Sequence, residues 1–181
     1  MADVLACIAL VISLASVGWQ VVTFVGSGSR VTARLKLGLY DAAMTMAIVL
    51  PLTKTAFTDS KSVIDRGYST RCLVVEVSNI GRIGVDVIRC RAKLTNGAIL
   101  DPLSSVPANP KPNTRLEPGQ TQIWYIPLSP LQGVVDVAHA GRMPNSSPVQ
   151  KAWGLIELGT NKEIRTKDEW TFTVSDVAAA N

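Results

Sequence analysis

The segment Val4–Val25, VLACIALVISLASVGWQVVTFV, constrains this chain most. Its 22 residues carry no charge, and Gln20 is the only strongly polar one. As an α-helix it would be about 33 Å long at 1.5 Å per residue, close to a hydrocarbon core of roughly 30 Å. Trp19 stands near one end, where an indole can sit at the interface. We therefore expect residues 1–25 to form a transmembrane anchor, with Val4, Leu10, Ile12, Trp19 and Val25 among its side chains. A cleaved signal peptide fits less well. Only Met-Ala-Asp precedes the run, with no basic residue. The run also exceeds the usual apolar core of about 7–15 residues, and the Ser13–Ser16 steps are poor cleavage sites. A buried or oligomer-forming helix is the third reading.

The 181 residues suit one domain in addition to that helix. The mean hydropathy is +0.24 despite 18 Lys/Arg and 14 Asp/Glu, because the apolar residues are concentrated at the N-terminus. Beyond the helix the chain holds 18 basic and 13 acidic residues, a net charge of +5. This favours an anionic membrane surface or an acidic partner. It falls short of the dense basic patch of a nucleic-acid binder. Arg30, Arg34 and Lys36 follow the helix, and only Asp3 precedes it. The side richer in Lys and Arg stays cytoplasmic, so the folded domain is expected inside and the short N-terminus outside.

Residues 26–30 read as a flexible linker, GSGSR. Residues 31–175 read as the folded domain and 176–181 as a frayed tail. From Arg30 to Leu39, Val31, Ala33, Leu35, Leu37 and Leu39 alternate with polar residues and glycine, the pattern of a half-buried strand. Residues 40–52 read as a second strand or short buried element, and Lys54–Tyr68 as a polar loop. In RCLVVEVSNIGRIGVDVIRCRAKL, residues 71–94, two β-branched runs flank Asn79-Ile80-Gly81-Arg82 and read as a hairpin. A symmetric register would set Cys72 opposite Cys90. The alternatives are a disulfide or two small buried apolar side chains. Asn96-Gly97 reads as a type I′ turn, and Pro118-Gly119 as the centre of a type II turn. A short helix over Leu131–Ala140 follows, then a hairpin turning at Gly159–Lys162 and an added edge strand at Trp170–Val174. Trp124 and Trp153 are expected in the core.

Seven to nine short strands with regular turn signals favour an antiparallel, immunoglobulin-like β-sandwich behind the single transmembrane helix. The immunoglobulin Cys…Trp…Cys spacing is absent. The anchor end WQVVT with its following basic residues, the VVEVSNIGRIGVDV run, and LEPGQTQIWYIP with WGLIELGTNKEIRTK together resemble small membrane-anchored proteins of actinobacteria and of the bacteriophages that infect them. The resemblance covers most of the chain but departs from it at 40–66 and after Lys167. It implies an immunoglobulin-like fold on one helix and transfers no catalytic residue.

Little in the chain points to catalysis, and no enzyme activity or cofactor is expected. His139 is the only histidine, and no G-x-S-x-G marks a nucleophile for it. No cluster of metal-ligand spacing is present, and neither glycine-rich stretch is a phosphate loop. Cys72 and Cys90 are the only thiols beyond the helix, which suits a reducing compartment. Arg82, Arg89, Arg91 and Lys93 fall on one apparent hairpin. Arg89, Arg91 and Lys93 share parity and so one face, where they could meet lipid headgroups or protect a strand edge. The Asn145-Ser146-Ser147 sequon is read as coincidental. The expectation is a membrane-anchored interaction module bound to the lipid bilayer and a membrane-proximal protein, without nucleic acid or small-molecule substrate. The alternative is a virion structural or decoration protein whose apolar helix packs in an oligomer.

Overall fold

A computed structural model describes residues 2–26, 28–41, 43, 46–53, 55–101, 106, 109–139 and 150–172, and of residues 2, 5, 24–26 and 139 the backbone alone. The tail 176–181, the sequon at Asn145 and the end of the predicted domain after Phe172 lie outside the described residues. The chain opens with the helix α1 (Ala2–Gly26). Ten strands follow among the described residues, more than the seven to nine expected, because several are only two or three residues long.

One sheet holds β1 (Val31–Asp41), β2 (Ala47–Leu50), β3 (Tyr68–Asn79) and β7 (Thr121–Pro127) in the order β2-β1-β3-β7. The other runs β10-β8-β4-β5, from β4 (Val85–Leu94), β5 (Ile99–Leu100), β8 (Gln150–Leu158) and β10 (Trp170–Phe172). Two more strands join this sheet: β6 (Thr114–Leu116) pairs with β4, and β9 (Glu163–Arg165) pairs with β8. Every pairing is antiparallel.

A shared core lies between the sheets. As the alternation predicts, Ala33, Leu35, Leu37 and Leu39 of β1 point into it, with Leu73, Val75 and Val77 of β3. They meet Cys90, Ala92 and Leu94 of β4 and Ala152, Ile156 and Leu158 of β8. Burial of these branched chains, at roughly 25 cal/mol per Å² of apolar area, drives the sheets together. The 54–68 segment is more than a polar loop. It forms α2 (Ala56–Asp59) and α3 (Lys61–Ile64), and Ala56 and Phe57 enter the core. Phe57 meets Trp170 edge to face, with ring centroids 6.4 Å apart. The predicted helix after β7 is α4 (Leu128–His139), which buries Leu131, Val135 and Ala138 at helical spacing.

The expected β3–β4 hairpin does not form. β3 already pairs with β1 along one edge and with β7 along the other, so β4 has no free edge to join. The chain instead crosses from one sheet to the other through residues 80–84. Asn and Gly are separated here by Ile80, so the two-residue Asn-Gly turn of a hairpin is not available. Cys72 and Cys90 are consequently in different sheets, each a free thiol. The register shift between Val87 and Arg89 makes Ile88 an extra residue on β4. It reverses parity: Val85 and Val87 point inward before it, and Cys90, Ala92 and Leu94 after it.

The turns largely follow their sequences. Gln120 N–H donates to the Glu117 carbonyl at 3.0 Å, and Gly119 has φ +77°, as a type II turn requires. The Asn96-Gly97 turn forms but is not type I′. Gly97 N–H donates to the Leu94 carbonyl, and only Gly97 takes positive φ, at +89°. This is the longer loop that ends in one left-handed residue. The Gly159–Lys162 turn repeats it, with Asn161 in the left-handed position at φ +58°.

Candidate membrane-proximal site

The helix α1 is long and apolar enough to cross a bilayer, by a length and composition that a signal sequence shares. None of its stretch Ala6–Thr23 is covered by the rest of the chain. Val4, Leu10, Ile12 and Trp19 are exposed on it, and Val25 belongs to its last turn. The Thr23 hydroxyl bonds back to the Trp19 and Gln20 carbonyls within the helix. This satisfies the hydroxyl within the helix's own backbone.

Residues 28–30, between the helix and β1, meet the arch of residues 80–84. Ile80 and Gly81 both donate their N–H to the Arg30 carbonyl, at 2.8 and 3.1 Å. A Cβ on Gly81 would lie 2.4 Å from the Arg30 nitrogen and 2.6 Å from the Gly28 carbonyl oxygen, so only glycine permits this approach. Residues 28–30, read from sequence as flexible, are therefore packed against the arch.

Asn79 organises this end of the domain. Its side chain is fully buried. Nδ2 donates to the Ile83 and Leu116 carbonyls at 2.8 and 3.0 Å, and Oδ1 accepts from Gly81 N–H. Its own N–H and carbonyl bond to Gln120 and Gly119. The arch and the Glu117–Gln120 turn, both passing between the sheets, are thus joined through one residue. Around them Ile80 and Ile83 are 62% and 53% exposed, and Arg82 is exposed.

The basic residues singled out from sequence separate in space. Arg82 lies on the arch, away from Arg89, Arg91 and Lys93. Those three do share one face, the outer surface of the β4 sheet. Arg91, with 16% of its side chain exposed, donates to Glu157 and Glu163 at 3.2 and 3.1 Å, and Arg89 approaches Glu157 at 3.9 Å. Lys93 stands opposite Trp153 on β8. Trp153 is not core: Arg165 stacks on its ring at 4.0 Å and bonds to Glu169. Lys36 pairs with Glu76 at 2.6 Å, while Arg30 and Arg34 are exposed and make no ion pair among the described residues.

Trp124 and Tyr125 point to opposite faces, Trp124 into the core and Tyr125 outward. Tyr125 joins Tyr40, Cys72, Val74 and Val106 in a second apolar cluster on the outer face of the β1 sheet. The rings of Tyr40 and Tyr125 meet edge to face at 4.9 Å. Asn109 covers the free edge of β7 by exchanging two hydrogen bonds with the Tyr125 backbone. Burial pushes the Cys72 thiol up to about 12 and raises the Tyr40 and Cys90 groups further. All three stay neutral at physiological pH, and a neutral buried thiol is a poor nucleophile.

Comparison with known proteins finds no matching family model and no curated protein that matches the chain. Functional reading therefore rests on geometry. Among the described residues, no three His, Cys, Asp or Glu side chains converge as a metal would need. His139 ends α4, and its side chain lies outside the described residues. Sequence reasoning missed the role of Asn79 and the exposure of Ile80 and Ile83. The apolar–basic–apolar order of Ile80, Arg82 and Ile83 was the available signal.

Proposed function

We propose that the chain is a single-pass, membrane-anchored β-module that binds a membrane-proximal protein or lipid surface and catalyses no reaction. Its two-sheet domain is of immunoglobulin-like type and lies on the cytoplasmic side. The observation that carries this is α1: 25 residues, without charge after Asp3, uncovered by the domain over Ala6–Thr23, and joined to it by only a few residues. Such a surface is costly in water and stable in hydrocarbon. The immunoglobulin-like reading is supported by two antiparallel sheets around one core with connections that pass between them. The inside orientation is supported by Arg30 and Arg34, exposed and free of ion pairs among the described residues just past the helix. In a phage-borne chain such a module would modify the host membrane, a reading by analogy.

Fractionation of expressing cells tests the anchor. The full chain is expected in the membrane pellet after an alkaline carbonate wash and in solution only with detergent. Recovery in a soluble or particle fraction without detergent overturns the anchor and favours the virion structural reading. A C-terminal reporter that works only in the cytoplasm is expected to be active. Activity of an export-dependent reporter reverses the orientation.

A further inference from the structure

We infer that the arch of residues 80–84 is a second membrane contact, seating Ile80 and Ile83 in the interface of the bilayer that holds α1, with Arg82 and Arg30 against anionic headgroups. This rests on the anchor reading above. Position is the first argument. Gly26 and Arg30 are four residues apart, at most about 14 Å of extended chain. The Arg30 carbonyl accepts from Ile80 and Gly81, so the residue that ends the tether is fixed to the arch. A helix in lipid therefore keeps this end of the domain within that distance of the surface.

Chemistry is the second argument. Two large β-branched side chains are 62% and 53% exposed within four residues, while their flanking neighbours Asn79 and Val85 are buried. The arch therefore holds its isoleucines out of a core that was available to them. Arg82 lies between them, and a long basic side chain beside apolar ones suits the boundary between headgroups and acyl chains. The charge at this end is also suitable. Its acidic residues, Asp86, Glu117 and Glu163, are engaged by Arg115 and Arg91. Arg30, Arg82 and Lys162 are exposed and make no ion pair among the described residues. Lys162 belongs to the same end, because its turn is fastened by Gly159 N–H to the Asp86 carbonyl.

The full chain, with Cys7→Ser so that only the buried thiols Cys72 and Cys90 remain, is placed in vesicles of phosphatidylcholine and phosphatidylglycerol. A spin label is attached in turn at Ile83→Cys, at Val11→Cys within the helix, and at Ile99→Cys near the opposite end of the domain. Collision with oxygen and with a water-soluble nickel chelate reads the depth of each label. The expected result is Val11 deep in hydrocarbon, Ile83 at interfacial depth and Ile99 in water. Adding Ile80→Asp is expected to release the Ile83 label to water without moving the Val11 label. A label at Ile83 as aqueous as that at Ile99, with Val11 in lipid, overturns the second contact and leaves the anchor standing. A label at Ile83 shielded from both reagents means that protein covers the arch, and also overturns it. An aqueous Val11 overturns the anchor itself.

Discussion

The Asn79 side chain donates to the Leu116 carbonyl at 3.0 Å, so one buried amide fastens the end of β3 in one sheet to the end of β6 in the other. Replacing it with alanine leaves the Ile83 and Leu116 carbonyls and the Gly81 N–H without this partner. Unsatisfied buried polar groups cost about 1–3 kcal/mol each. Asn79→Ala is expected to destabilise the domain by about 3 kcal/mol in urea unfolding. Asn79→Asp, which removes the donor and buries a charge, should cost at least as much. A loss below about 1 kcal/mol for both would remove Asn79 from its organising role.

Gly81→Ala places a methyl group where Arg30 and Gly28 now sit. Overpacking of this kind costs roughly 1–3 kcal/mol. The strain is relieved by releasing residues 28–30 from the arch. Limited proteolysis should therefore show faster tryptic cleavage after Arg30 in the variant. Equal cleavage rates would mean that the tether is already loose.

The outer face of the β4 sheet gives an ordered pair of effects. Arg91 is mostly buried and shares Glu157 and Glu163, whereas Arg89 is largely exposed and touches only Glu157. Exposed ion pairs contribute about 0–1 kcal/mol. Arg89→Ala is expected to cost under about 0.5 kcal/mol. Arg91→Ala should cost clearly more, since it also leaves two carboxylates side by side. Thermal unfolding of the two variants checks the order, and equally small losses for both would mean that the two carboxylates do not hold Arg91.

Stability should fall in alkali. The Cys72 thiol titrates near 9 when exposed and at about 12 when folded, because burial disfavours the thiolate. Below pH 9 both states keep the proton and stability is level. From pH 9 towards 12 the unfolded chain loses the proton first, so folding stability declines as pH rises. The slope is about 1.4 kcal/mol per pH unit for one thiol. Cys90 and Tyr40 are shifted in the same direction and steepen it. Cys72→Val should flatten the decline between pH 9 and 10.5 in urea unfolding. An unchanged slope would place the effect on another group.

Local features were legible in the sequence where they depend on neighbours along the chain. The alternation of Val31–Leu39 gave the buried face of β1, and Pro118-Gly119 gave its turn. The β3–β4 hairpin was misread because occupation of an edge is a long-range fact. β3 is closed by residues 31–41 and 121–127, and neither is visible from the local pattern. The parity change at Ile88 is equally hidden, since an added residue shows only against a partner strand. The shared face of Arg89, Arg91 and Lys93 follows from spacing, but the carboxylates that neutralise it lie 66 and 72 residues from Arg91. Ile80 reads locally as a turn residue and Ile83 as part of the β-branched run that follows, so neither marks an exposed apolar surface.

The crossing from β3 to β4 also bears on the order in which the domain can assemble during synthesis. β1 and β3 can pair once residue 79 is available, but β3 keeps an open edge until β7 is made. β4 finds its main partner only when β8 emerges, more than fifty residues later. A chain already held by α1 at a membrane would carry that exposed apolar face beside the bilayer throughout this interval. The surface that receives the finished domain would then also be the first shelter for its unpaired strands.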